Sequence, residues 1–165
     1  MFRFAFILAC VLSGFSLSTF SWADQINIDL TVPKLDAQPY HKPYVSIWLE
    51  TPKRKGVETL SIWHYQEKED WLKDLRQWWR KLGRKNRDFD SVASATRKPD
   101  TYALSFSPEV AAGEYRLCFE ASREDGGREF LHQTITLGAQ ETQSFTLKGA
   151  HELGDIHITI SGKNP

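Results

Sequence analysis

The 165-residue chain carries 21 Lys and Arg against 21 Asp and Glu, a formal net charge of zero at pH 7 with His neutral. At 25% charged and 41% hydrophobic residues it has the composition of a folded globular chain, which excludes a disordered polyelectrolyte and a wholly membrane-embedded protein. With no excess positive charge it also lacks the electrostatic footprint of a nucleic-acid binder.

Taken in chain order, Met1-Phe2-Arg3 gives a short positive start, 4–12 is an apolar run, and Ser21-Trp22-Ala23 sets small residues at the cleavage-determining positions. This pattern predicts a secretory signal peptide, 1–23, cut after Ala23, and a periplasmic mature chain. The apolar run is too short and too broken by serine to span a bilayer. Cys10 after Ile7-Leu8-Ala9 offers the alternative of a lipoprotein signal, with too little apolar sequence ahead of it. The remaining 24–165 has the length of one domain. Losing the leader removes Arg3 and no acid, so the net charge becomes −1. Cys118 is then the sole cysteine, which excludes an internal disulfide and reads as a small buried hydrophobe.

The body of the chain alternates. Ile26, Ile28, Leu30 and Val32 give 25–32 as a half-buried strand. Tyr44–Glu50 alternates Val45, Ile47 and Leu49 against Tyr44, Ser46 and Trp48, and 57–63 follows after a turn at 52–56. Later strands are expected at 101–106, 113–122, 128–137, 143–148 and 155–161, with Asp125-Gly126-Gly127 as a hairpin turn. Many short strands and no βαβ rhythm predict an all-β, immunoglobulin-like antiparallel β-sandwich, with Tyr115 as its corner tyrosine. Trp48 and Trp63 read as core.

One segment, about 70–98, departs from this rhythm. Trp71, Leu72, Leu75, Trp78, Trp79 and Leu82 fall at helical spacing, so an inserted Trp/Arg-rich amphipathic helix is expected over 70–82, capped by Asp70 and stopped at Gly83. Leu72, Leu75 and Trp79 should pack on the sandwich, leaving Arg76, Arg80 and Arg84 at the surface. Lys73, Arg76, Arg80, Lys81, Arg84, Lys85, Arg87, Arg97 and Lys98 are opposed only by Asp74, Asp88 and Asp90, beside the capping Asp70. Such charge suits a solvated helix face and loop, or a site for phosphate or an anionic surface.

The stretches "YVSIWLE", "LSIWHYQEKEDWLKDLRQWWRKLGR", "ATRKPDTY" and "GEYRLCFEASREDGG" together resemble an uncharacterised family of secreted bacterial domains of unknown function. That family is often associated with PepSY-type membrane proteins and with the transferase that moves FMN from FAD onto protein threonines. The resemblance implies an extracytoplasmic role beside membrane flavin redox systems. The transferase's acceptor motif resembles Asp-x-x-(Ser/Thr)-Gly-Ala-(Thr/Ser). Here Asp90, Ala95 and Thr96 match in register, while Ala93 and Ser94 replace the hydroxyl residue and the glycine. Covalent FMN at Thr96 is the implied cofactor, with Thr96 in an exposed loop. Arg97 and Lys98 would offset its phosphate, and Trp78 or Trp79 would carry its ring. The same surface would otherwise dock a flavin-bearing partner.

Enzymatic chemistry finds little here. His41, His64, His132, His151 and His157 lack metal-site spacing, and no nucleophile elbow or glycine-rich phosphate loop occurs. Glu120, Glu124, Asp125 and Glu129 beside Arg116, Arg123 and Arg128 read as cross-strand ion pairs. The expectation is a non-catalytic electron-carrying or docking domain. The alternatives are an immunoglobulin-like module binding protein or lipid with no redox role, and a metal- or haem-handling protein.

Overall fold

Alternating side chains become strands wherever one set can be buried. Nine do so in the computed structural model, which describes residues 24–85 and 89–161. They are β1 (Ile26–Val32), β2 (Tyr44–Glu50), β3 (Gly56–Trp63), β4 (Ala93–Ser94), β5 (Asp100–Phe106), β6 (Gly113–Ser122), β7 (Arg128–Leu137), β8 (Gln143–Lys148) and β9 (Asp155–Ile160). Only β4 lacks a sequence signal. The expected leader 1–23, and Arg87 and Asp88 of the insertion, lie outside the described residues.

Two sheets, ordered β5-β1-β9-β8 and β4-β3-β2-β6-β7, form a sandwich. Every pairing is antiparallel except the short β3–β4 pair. The run β3-β2-β6-β7 reproduces the C′-C-F-G neighbours of an immunoglobulin sheet, and β5-β1 its E-B pair. The place that strand A takes beside B is filled from the far end of the sequence by β9. Tyr115, near the start of β6, donates its hydroxyl to the Ala111 carbonyl at 2.8 Å, which is the expected tyrosine corner. The turn joining β6 to β7 holds Asp125 at φ 54 and closes with Gly126 N–H on Arg123 O at 3.0 Å.

Between the sheets lie Ile26, Ile28, Leu30, Ile47, Leu49, Trp63, Phe119, Ile156 and Ile158 among others, all buried. Strand β2 is buried on both faces along its whole length. Its second face meets the insertion, where Trp48, Ile62 and Cys118 join Tyr44, Leu72, Leu75, Trp78 and Phe89 in a separate apolar cluster. The five-stranded sheet therefore carries a core on each side, and Trp48 and Trp63 serve one each.

The insertion is less regular than its spacing predicts. Residues Gln66–Asp74 form tight 3₁₀ turns with a kink at Lys68, and Leu75 leaves helical geometry at φ −75, ψ 69. The chain then makes an α-turn over Arg76–Trp78 and widens into a π-turn over Trp79–Gly83. Asp70 is exposed inside the 3₁₀ segment and caps nothing, whereas Gly83 does end the helix. Leu72 and Leu75 are fully buried and Arg76, Arg80 and Arg84 exposed, as expected. The deepest tryptophan is Trp78 rather than Trp79. Gly83 is needed there, because a Cβ would stand 2.6 Å from the Trp78 ring. No helix among the described residues is long and apolar enough to cross a membrane.

Candidate functional site

Two buried carboxylates hold the insertion to the sheet. Glu120 of β6 is fully buried and accepts the backbone N–H groups of Gln77, at 2.9 and 3.1 Å, and Trp78, at 3.0 Å. These are the second and third amides of the helical turn that starts after Leu75, the donors an N-cap oxygen normally takes. Leu75 has no such oxygen, so Glu120 supplies it from 43 residues away. Arg128 completes the carboxylate's shell at 2.8 Å. Glu50 of β2, also fully buried, accepts Trp48 Nε1 at 2.8 Å, Arg116 at 3.2 Å and the ammonium of Lys81. An uncompensated charge there would be costly, and each of these has compact, opposite partners.

The remaining buried acids are equally committed. Glu129 takes the backbone N–H of Ala150, His151 and Leu153, and Glu152 takes Arg123 and the N–H of Gly127. Of the cross-strand pairs expected in the β6–β7 hairpin, Arg128–Glu120 forms. Glu124 instead meets Lys68 at 3.1 Å and His41 at 3.6 Å. Burial pushes the Cys118 thiol well up, which removes it from thiolate chemistry. Among the described residues no three His, Cys, Asp or Glu side chains gather as metal ligands.

The segment marked by the acceptor-like motif lies elsewhere. Asp90 opens a short, exposed 3₁₀ turn, Asp90–Val92, and Ala95 is exposed. Thr96 is not exposed: it is 5% accessible, and its hydroxyl meets no hydrogen-bond partner among the described residues. Pairing of β4 with Ile62 and Trp63, and of His64 N–H with Ser94 O at 2.9 Å, draws this chain in against the sheet edge. Arg97 stacks its guanidinium over Trp63 at 4.3 Å and Tyr102 at 4.9 Å. Lys98 is exposed, and its carbonyl accepts the Tyr102 hydroxyl at 2.8 Å. Trp78 is fully buried, with its indole N–H on Thr59 at 3.0 Å. Trp79 is half-buried against it, ring centroids 6.2 Å apart.

Trp78 and Arg97 lie on different faces of β3. Trp78 belongs to the outer cluster with Ile62, whereas Arg97 rests on Trp63, the next residue along β3, whose side chain faces the inner core. Alternation along a strand puts the two on opposite faces. Thr96 and Arg97 lie with the β3 edge at Trp63, and Trp78 lies with Ile62 on the other face.

The structure picks out a different aromatic. Trp71, counted by spacing on the apolar face, is 38% exposed, and the Lys68 ammonium lies 5.7 Å from its ring. It borders a groove lined by His41, Lys42, Tyr44, Tyr65 and Asp74. Tyr44 is fixed by donating to Lys68 O at 3.0 Å, and Lys42 approaches the Tyr65 ring at 5.8 Å. An amphipathic aromatic at the mouth of a groove, ringed by both signs of charge, is the chemistry of a protein-binding anchor. Three residues per 3₁₀ turn set Leu72 and Leu75 on one buried face and leave Trp71 outside it, whereas α-helical spacing counts all three together.

A family model described as "Predicted periplasmic protein (DUF2271)" matches residues 25–155. No curated protein and no solved structure matches the chain.

Proposed function

Because the chain belongs to the DUF2271 family of predicted periplasmic proteins, we propose that it is a periplasmic, non-catalytic binding module that takes its partner at the Trp71 groove. The observation that carries this reading is the exposure of Trp71 beside Tyr44, Tyr65 and His41. Exposed large apolar side chains are rare here, since Val57 is the other one among the described residues. The buried carboxylates, which would be the natural acid–base groups, are occupied in holding the fold. The finer reading is that the partner is a flavin-bearing membrane redox protein of the PepSY type. It is supported by the resemblance of the Trp-rich insertion and of "ATRKPDTY" to domains found beside such proteins.

A second reading, FMN esterified to Thr96, is favoured by one observation. The Thr96 hydroxyl has no partner to lose, and β4, which holds the loop, is only two residues long. It requires the loop to open, because the hydroxyl is buried as folded.

Co-expression of the exported protein with the flavin transferase and a PepSY-type partner tests both readings. Pull-down should retain the flavin-bearing partner, and Trp71→Ala should weaken that retention by roughly tenfold or more, the scale of a lost aromatic anchor. Undiminished retention by Trp71→Ala rules out the groove. Intact mass decides the second reading: a flavin adduct lost in Thr96→Ala establishes attachment, and an unmodified wild type eliminates it.

A further inference from the structure

Two separate runs of cations meet at one corner of the five-stranded sheet. Lys53, Arg54 and Lys55 form the tip of the β2–β3 turn, and all three are exposed. The turn is fixed, with Arg54 at φ 62 and its N–H on Thr51 O at 2.8 Å. The last helical turn of the insertion abuts it: a Cβ on Gly56 would stand 2.7 Å from Leu82 Cγ, so backbone and leucine are in direct contact. Exposed Arg84 and Lys85 follow immediately. None of these five cations forms an ion pair among the described residues.

No acid at this corner pairs with them among the described residues. Glu50 is buried and already holds Lys81 and Arg116. Glu58 is half-buried with Glu109 as its charged neighbour, Glu114 is exposed at the start of β6, and Asp90 is exposed between Phe89 and Ser91, which line a cleft with Val57 and Leu82. Beside the turn, Val57 is 36% exposed. Positive charge on a turn tip and a helix end, with an apolar side chain next to it, suits an extended anionic surface better than a single bound ion.

We propose that this corner docks the protein on an anionic phospholipid surface, as a peripheral and salt-sensitive contact. The groove at Trp71 lies near Tyr44, at the other end of β2. The strand's seven residues span about 20 Å from end to end at the usual rise. A membrane-docked molecule would therefore keep its groove free, and the proposal does not depend on what the groove binds.

The test is sedimentation of the exported protein with vesicles of phosphatidylcholine alone, or mixed in equal parts with phosphatidylglycerol. Binding is expected only to the anionic vesicles and should disappear as salt is raised. Replacing Lys53, Arg54 and Lys55 together by Gln should lower the partition about 100-fold, from about fivefold per basic residue near a charged surface. Arg84→Gln with Lys85→Gln should lower it about 25-fold on the same scale. Trp71→Ala should leave it unchanged, which separates this contact from the groove. Equal binding to neutral vesicles, no binding to anionic vesicles at low salt, or full binding by both Gln variants overturns the proposal. If vesicles are ignored but the five cations are needed to hold a protein partner, the corner is a protein interface and the lipid reading falls.

Discussion

Glu129 shows how one side chain sets a pH limit. Burial alone would raise its pKa, but the amides of Ala150, Leu153, His151 and Glu152 outweigh burial and hold the carboxyl below its ordinary range. The folded value therefore lies under the unfolded one, near 4.3. Its stabilisation is fully present above the unfolded value and is lost as pH falls through the folded value. The thermal midpoint of the wild type should drop below about pH 4, and Glu129→Gln, starting lower, should show a shallower acid slope. Parallel slopes for the two proteins would show that other groups govern acid unfolding. Glu120 makes the complementary case at neutral pH. Glu120→Ala leaves two backbone amides and Arg128 without their acceptor, so urea unfolding should report a loss of about 3–5 kcal/mol. Glu120→Gln keeps one acceptor oxygen and should lose less. A loss under about 1 kcal/mol for Ala would mean that water replaces the carboxylate freely.

At the scale of the element, the insertion is held by packing and by charge from the sheet, with little help from its own helical propensity. Its pieces are too short to be stable alone. Leu75, fully buried at the break between the 3₁₀ turns and the α-turn, contacts the sheet through the outer cluster. Leu75→Ala should cost about 2–5 kcal/mol by differential scanning calorimetry, the range for emptying a leucine site in a packed core. A midpoint equal to wild type would show that the insertion rides loosely on the sheet. Arg97 is also a matter of packing. Its guanidinium covers Trp63 and Tyr102, so its removal reads as lost core cover before it reads as a lost binding charge.

For the whole molecule, one sheet with a core on each side explains why β2 is buried throughout and why the insertion can be irregular. The inner core joins the two sheets, and the outer one is completed by residues that follow β3 in sequence. Local pattern was enough for eight strands, the β6–β7 turn and the tyrosine corner, because period-2 burial, turn residues and a tyrosine four residues from its acceptor are short-range features. Local pattern also marked Leu72 and Leu75 as buried and Arg76, Arg80 and Arg84 as exposed, since burial of one stripe follows from spacing. It placed Trp71 inside and Thr96 outside, and both assignments reversed. Trp71 faces out because the segment winds as 3₁₀ turns, in which Leu72 and Leu75, three apart, share the buried face and Trp71 falls off it. Thr96 turned in because β4 pairs parallel with the end of β3, a contact made across the whole insertion. The corner of Lys53–Lys55 with Arg84 and Lys85 was equally invisible, since neither run names the other. What the sequence by itself determined are the properties carried by neighbours along the chain: export, alternation, turns and the amphipathic stripe. What only the tertiary structure decided is which charges are neutralised and which aromatics reach water, because both depend on partners that folding brings together from other elements, as Trp78 and Glu120, 42 residues apart, and Lys81 and Glu50, 31 apart, show.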